Sequence, residues 1–325
     1  MPETADPSEG ISGGLFYTVV FSIGWAIAFL FLLISIFSIY SPHWVLHFSQ
    51  TSYPYFFILL LEVPIHALSD VYLYPIVFVL YLLFFGAMIY VSIKWKGNGF
   101  LSSPIEFYAA MAAFGLTITL FLTLLLEAVG IPIGGASIQT SLEQHPFESY
   151  LALIYAPFAE ETGFRIIPLG IMAVVLLRKY HPASWFDYVK VFFLPGHVRR
   201  KYGEKFGKVD YIMIAATSIL FAYAHEAYGL WSWGKIITVL PVAVILAVGF
   251  LKFGVYMDIP IHWLFNGFTS LYIVNSAMEV PTSLALVYEI FMGIVAGIFL
   301  LVSYNRWKSR NRPAVPEHSD VQSDV

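Results

Sequence analysis

The stretch IYAPFAEETGFRIIP, residues 154–168, sets two carboxylates and a guanidinium in the middle of an apolar run covering 148–178. A charged side chain at the centre of a bilayer costs roughly 2.5–3.5 kcal/mol on insertion scales, so such residues are rare there and usually functional. Two other apolar stretches also hold isolated polar groups: FAYAH, from Phe221 to His225, and HWLFN, from His262 to Asn266. Glu160, Glu161, Arg165, His225, His262 and Asn266 stand where leucine would be favoured, and that calls for a chemical reason.

The composition around these clusters is that of a membrane protein. Of 325 residues 59% are hydrophobic and only 12% charged, with a mean hydropathy of +0.76, whereas soluble domains carry about a quarter charged residues. The chain contains no cysteine, which excludes disulfides, thiolate nucleophiles and Cys-ligated metals. The small net charge of −4 and the absence of a basic stripe exclude nucleic acid as a partner. The first apolar run starts near Gly14, after an acidic segment (Glu3, Asp6, Glu9) with no basic flank, and reads as a retained anchor helix rather than a cleaved signal peptide.

About 20 apolar residues cross the hydrocarbon core as a helix. By that measure spans are predicted over 14–40, 73–93, 105–129, 148–178, 209–227, 235–254, 260–276 and 284–305. The fold expected is therefore an all-α polytopic membrane protein of about eight transmembrane helices around a polar intramembrane cavity. The stretch 54–67, broken by Pro64, is expected as an interfacial or re-entrant helix or a distorted ninth span. Residues 1–12 and 309–325 read as disordered tails, 13–308 as one polytopic membrane domain. Lys94 and Lys96, the group from Arg178 to Lys208, and Arg306 to Arg312 fall on one side by span counting, so the basic loops and the C-terminus are expected in the cytoplasm. The loop 179–208 has Trp185, Phe186, Phe192 and Phe193 among its basic residues and reads either as a segment lying on the membrane surface or as a solvated loop.

Helical spacing organises the polar residues. Glu161 and Arg165, at i and i+4, share a face and can pair, while Glu160 sits about 100° round the helix. One carboxylate is then neutralised and the other left free for general-base work, although spacing does not decide which is the base. His262 and Asn266 are also i, i+4 and can aim two N–H groups at one oxyanion. His225 can hold a water against Glu160. Pro157, Gly163, Pro168 and Pro260 are expected to kink helices and open a cavity.

The patterns EExxxR, FxxxH and HxxxN, in order on three apolar segments within roughly 150–275, resemble the CAAX protease and bacteriocin-processing (CPBP, or Abi) family, whose best-known members are the type II CAAX prenyl endopeptidases. The family core would cover about 105–305, with motifs over 160–266. The resemblance implies an intramembrane glutamate protease of eight helices with a cavity reached from the cytoplasmic side. It implies Glu160 as the base, His225 orienting the water, His262 and Asn266 as the oxyanion site, and Glu161 with Arg165 in support. It implies a prenylated or otherwise membrane-associated peptide substrate and no cofactor; Glu160, His225 and His262 are nonetheless a donor set that zinc accepts. One expectation conflicts with the span boundaries: His225 ends the fifth span and His262 begins the seventh, which puts them on opposite sides of the membrane.

The remaining polar groups read as structural. Glu62, His66 and Asp70 read as an interfacial cluster, with a part in substrate entry as the alternative; Glu127 and Glu289 lie near headgroups, and Gly293 with Gly297 permits close helix packing. Of the signatures of other intramembrane proteases, HExxH and GxGD are absent, and GxSG occurs as Gly10-Ile11-Ser12-Gly13, ahead of the first apolar run and not within it. The competing class is a non-catalytic scaffold or immunity protein, or a proton-coupled transporter, built on the same buried cluster; paired inverted repeats, which would favour transport, are not found.

Overall fold

The computed structural model describes residues 55–64, 70–94, 101, 103–134, 146–229 and 231–277, and beyond them positions 294, 301, 304, 305 and 308. The expected spans 14–40 and 284–305, both tails and His66 lie outside the described residues, apart from those last positions.

The chain is mostly helical. Strands β1 (Tyr55–Ile58) and β2 (Leu61–Pro64) are followed by helices α1 (Asp70–Lys94), α2 (Pro104–Ala128) and α3 (Pro146–Glu161). A π-helical turn (Thr162–Ile166) then leads into α4 (Ile167–Tyr180), and α5 (Trp185–Phe193), α6 (Pro195–Tyr202), α7 (Lys208–Ala227), α8 (Gly234–Phe253) and α9 (Val255–Ala277) complete it. Among the described residues two helices, α2 and α8, are long and apolar enough to span a membrane, with mean hydropathies of 2.2 and 2.5. They differ in place: 61% of the apolar window of α8 is buried against 31% of that of α2. α8 is thus the interior helix, packed on α7, α2, α9 and α6, and α9 packs on α3, α1 and α2. Leu83, Ile93, Phe121, Val175, Ile212 and Ile219 turn large apolar side chains outward. That is the surface of a protein whose solvent is lipid, and the chain is an integral membrane protein.

Two expectations are corrected. Within the segment 54–67 the described residues, 55–64, are not helical: they form an antiparallel hairpin with Phe57 opposite Glu62, closed by Leu59 at φ +52°. Tyr, Phe and Ile in β1 favour strand, and a Cβ at Gly163 would lie 2.5 Å from Phe57 O, so the missing side chain there seats β1 on the π turn. The seventh helix begins at Val255, not at residue 260; Pro260 lies inside it.

The basic segment 179–208 is built, not loose. Ser184 and Asp187 form a capping box at the start of α5, Lys201 and Tyr202 bond to Asp187, and Arg199 pairs with Asp210 at 2.6 Å. Those donors hold the Asp187 carboxyl well below the usual carboxylate range, the Lys201 bond being the largest cause. α6 meets the far end of α8 so closely that a Cβ on Gly196 would overlap Lys252 O. Trp185 and Phe186 are 80% and 72% exposed.

His197 Nε2 lies 2.7 Å from Tyr256 Oη, tying α6 to α9. Burial, then Arg200 and Lys190, push the His197 pKa down to about 4. The unfolded chain takes that proton near pH 6.5, so between pH 6.5 and 4 the unfolded state binds a proton that the fold refuses, and stability falls as pH is lowered. Thermal unfolding in detergent should show this loss for the wild type and a smaller one for His197→Gln; parallel curves would remove His197 as its source.

Candidate active site

Pro168 has no amide hydrogen to give, and the helix ahead of it opens by one residue: the Ile167 N–H bonds Thr162 O, five residues back. On this turn Glu161 and Arg165 face inward, each fully buried. Arg165 Nη1 donates to Glu161 Oε1 at 3.1 Å and Nη2 to Ala243 O of α8 at 3.3 Å, while its guanidinium carbon lies 3.9 Å from the Phe221 ring centre.

The same oxygen, Glu161 Oε1, accepts from His262 Nδ1 of α9 at 2.6 Å. A carboxylate accepts, so Nδ1 carries the hydrogen and Nε2 faces the other way, 3.5 Å from Glu160 Oε2. Arg165, Glu161, His262 and Glu160 therefore form one line of polar groups through the apolar bundle. Glu160 keeps 19% side-chain exposure where Glu161 has none.

A cavity of about 260 Å³ lies beside this line. His225, His262 and Asn266 line it together with Phe221, Phe265, Trp231 and Lys235. Phe221 stands between the two histidines, with ring centres 4.8 Å from His225 and 5.6 Å from His262. Starting α9 at Val255 places His262 two turns inside the helix, and the conflict over opposite membrane sides disappears. His225 Nδ1 lies 3.0 Å from Phe221 O and must donate to it, which leaves Nε2 for the cavity. The Asn266 amide N–H donates to Leu153 O at 3.0 Å, so in this state one donor holds α3 rather than the cavity. Glu160 and Glu161 do not line this cavity and meet it through His262. Among the described residues no three His, Asp or Glu side chains are arranged to hold a metal ion.

At the end of the bundle where α7 finishes and α8 begins the cavity is lined by Ile133, His225, Trp231 and Lys235. That end is stitched: Trp231 pairs with Gly134, the Ser232 N–H bonds Ile133 O, and its hydroxyl bonds Gly134 O. The basic segment meets the opposite end of α8, at Lys252.

Asp258 belongs to the site and escaped the sequence reading. It is fully buried, its Oδ1 accepts the Ile259 N–H at 2.9 Å, and it interacts electrostatically with Glu161 and Arg165. The signal was present: Asp258, His262 and Asn266 repeat every four residues on one helix face. A span begun at Pro260 cut it off. Lys235 was missed because a lysine at a span end reads as an interfacial anchor.

Removing Arg165 would leave the Glu161 carboxylate buried beside Asp258 without its cation, a loss of about 3–5 kcal/mol for a broken buried pair. Arg165→Ala should lower the melting temperature in detergent sharply, and Arg165→Lys less so; an unchanged melt would mean that the pair does not hold the fold.

A family model described as type II CAAX prenyl endopeptidase Rce1-like matches residues 143–268, from the start of α3 into α9, the segment that holds all three motifs. No curated protein and no solved structure matches the chain. That family is a protease family of the membrane. The motif-bearing segment of this chain, residues 143–268, is thus similar to the type II CAAX prenyl endopeptidase Rce1-like family.

Proposed function

We propose that the chain is an intramembrane, metal-independent glutamate endopeptidase of about eight spans that hydrolyses a peptide bond near the C-terminus of a prenylated or otherwise membrane-bound substrate. The observation that carries this reading is the line Arg165–Glu161–His262–Glu160, because it neutralises one glutamate and leaves its neighbour free. In the proposed reaction Glu160 takes a proton from water while the water oxygen bonds to the scissile carbonyl carbon. His225 Nε2 orients that water. The resulting oxyanion is met by Asn266 and by His262 Nε2, which donates only as the imidazolium because Nδ1 is committed to Glu161. Collapse breaks the C–N bond, and Glu160 returns the proton to the leaving amine.

Glu160→Gln, His225→Ala and His262→Ala should each abolish cleavage of a quenched farnesylated CAAX peptide by folded protein, and Asn266→Ala should slow it by about 10²- to 10³-fold, the effect of one oxyanion donor. Turnover by purified Glu160→Gln would overturn the base. Chelators should leave the rate unchanged; inhibition reversed by zinc would restore the metal reading.

The basic loops and C-terminus we propose to be cytoplasmic from their charge. Trp231 and Lys235, at the end of α8 away from Lys252, then lie toward the other side. A chain without cysteine makes this directly measurable: Trp233→Cys should react with an impermeant maleimide in intact cells, and Lys205→Cys only after permeabilisation. The reverse pattern would invert the topology and put the Trp231 and Lys235 end on the cytoplasmic side.

A further inference from the structure

The basic segment and the start of α7 spend their carboxylates on one another's cations. Asp187 accepts from Lys201 at 2.8 Å, Asp210 from Arg199 at 2.6 Å, and Glu204 meets His181 at 2.8 Å. Among the described residues Lys190 forms no ion pair. Like charge surrounds it instead. Burial first, then Arg200 and Lys190, oppose the protonation of His197, and Arg200 also acts on Lys252.

Backbone contact builds this crowding. A Cβ on Gly196 would lie 1.8 Å from Lys252 O, and one on Gly254, at φ +103°, would lie 2.4 Å from Phe193 O. The corner between α5 and α6 is therefore seated on the corner between α8 and α9, and the bond from His197 to Tyr256 ties the two together. Lys252 Nζ donates to Leu101 O at 2.6 Å and lies 5.2 and 5.3 Å from the Phe107 and Phe253 ring centres, which fixes that ammonium. Lys190 of α5, Arg200 of α6 and Lys252 of α8 thus gather around a histidine that stays unprotonated. Glu106 attracts Lys252, and one carboxylate does not balance three cations. Such a surplus repels itself unless an anion from outside the chain answers it.

The outer face of α5 says what carries that anion. Trp185, Phe186, Val189 and Phe193 are exposed and fall within about 100° of one another round the helix. Asp187 and Val191 are buried on the other side, and Lys190 stands at the edge of the apolar arc. An exposed apolar arc rimmed by cations is the pattern of a helix lying in a membrane interface. We propose that Lys190, Arg200 and Lys252 bind the phosphate of an anionic phospholipid from the surrounding bilayer, whose acyl chains lie along the outer face of α5. A zwitterionic lipid brings its own cation and leaves the surplus in place. A free phosphate leaves the apolar arc uncovered. The inference concerns lipid binding and does not depend on the peptidase reading.

The test titrates the full chain, purified in detergent, with equimolar phosphatidylglycerol and phosphatidylcholine of identical chains, and reads retained lipid by mass spectrometry of the intact complex. Wild-type protein should prefer phosphatidylglycerol by on the order of 100-fold, the effect of three cations at a lipid surface. The preference should fall roughly 30-fold in the double variant Lys190→Gln/Arg200→Gln, which removes two of them. Lys205→Gln/Lys208→Gln makes the same charge change elsewhere in the segment and should keep the preference. The ratio is internal to each variant, so a partly misfolded preparation does not imitate the effect. Phosphatidylglycerol with brominated chains should quench Trp185, read as the emission difference between wild type and Trp185→Phe, and brominated phosphatidylcholine should quench it less. No preference in the wild type, a preference that survives Lys190→Gln/Arg200→Gln, or one lost equally in Lys205→Gln/Lys208→Gln would overturn the site. Equal quenching by the two brominated lipids, or release of the lipid by millimolar inorganic phosphate, would overturn the lipid as its occupant.

Discussion

The buried polar line through this membrane domain hangs on one oxygen. Glu161 Oε1 accepts from Arg165 on its own helix and from His262 on another, and nothing around it is water-like. In such surroundings a charge is tolerated only when opposed and bonded, so each partner is held as firmly as the oxygen needs it. The guanidinium reaches the α8 carbonyl of Ala243 and lies on Phe221 of α7; the imidazole brings α9. Four helices are registered by one carboxylate, and the lone groups at its edge, Glu160 and His225, inherit their positions from it.

The bundle resolves the tension between packing and opening by breaking regularity where side chains would otherwise block. Pro157 and Pro260 sit inside helices, Pro168 follows the π turn, and Gly163 and Gly196 admit backbone where any Cβ would collide. These are local sequence features with global effect. The polar line runs through a core whose other members, Trp263, Phe164, Phe250 and Leu246, are apolar and close-packed.

Much of this was legible without coordinates because the membrane makes polar residues conspicuous. The i, i+4 pairing of Glu161 with Arg165 follows from helix geometry alone and is present at 3.1 Å. The closest contact of the site, His262 to Glu161, joins residues 101 apart in sequence, and no local pattern announces it. Helix ends were the weak point: taking Pro260 as a start hid Asp258 and set the histidines at odds, since a proline favours the first turn yet is tolerated deeper where neighbours satisfy the freed carbonyl. The hairpin at 55–64 was missed because apolarity dominated the reading over the strand preference of Tyr, Phe and Ile.

The π turn also fixes something that no side chain encodes. One additional residue between α3 and α4 offsets the two halves of a continuous helix by about 100°. The half ending in Glu160 and Glu161 is phased to α9, and the half bearing Gly170, against Phe192, is phased to α5. Shortening 162–166 by one residue would keep every hydrophobic residue hydrophobic and lengthen a regular helix, yet it would turn one half away from its neighbour. The site is thus written partly in residue count: its flanking apolar positions are interchangeable among themselves, and the number of them is not.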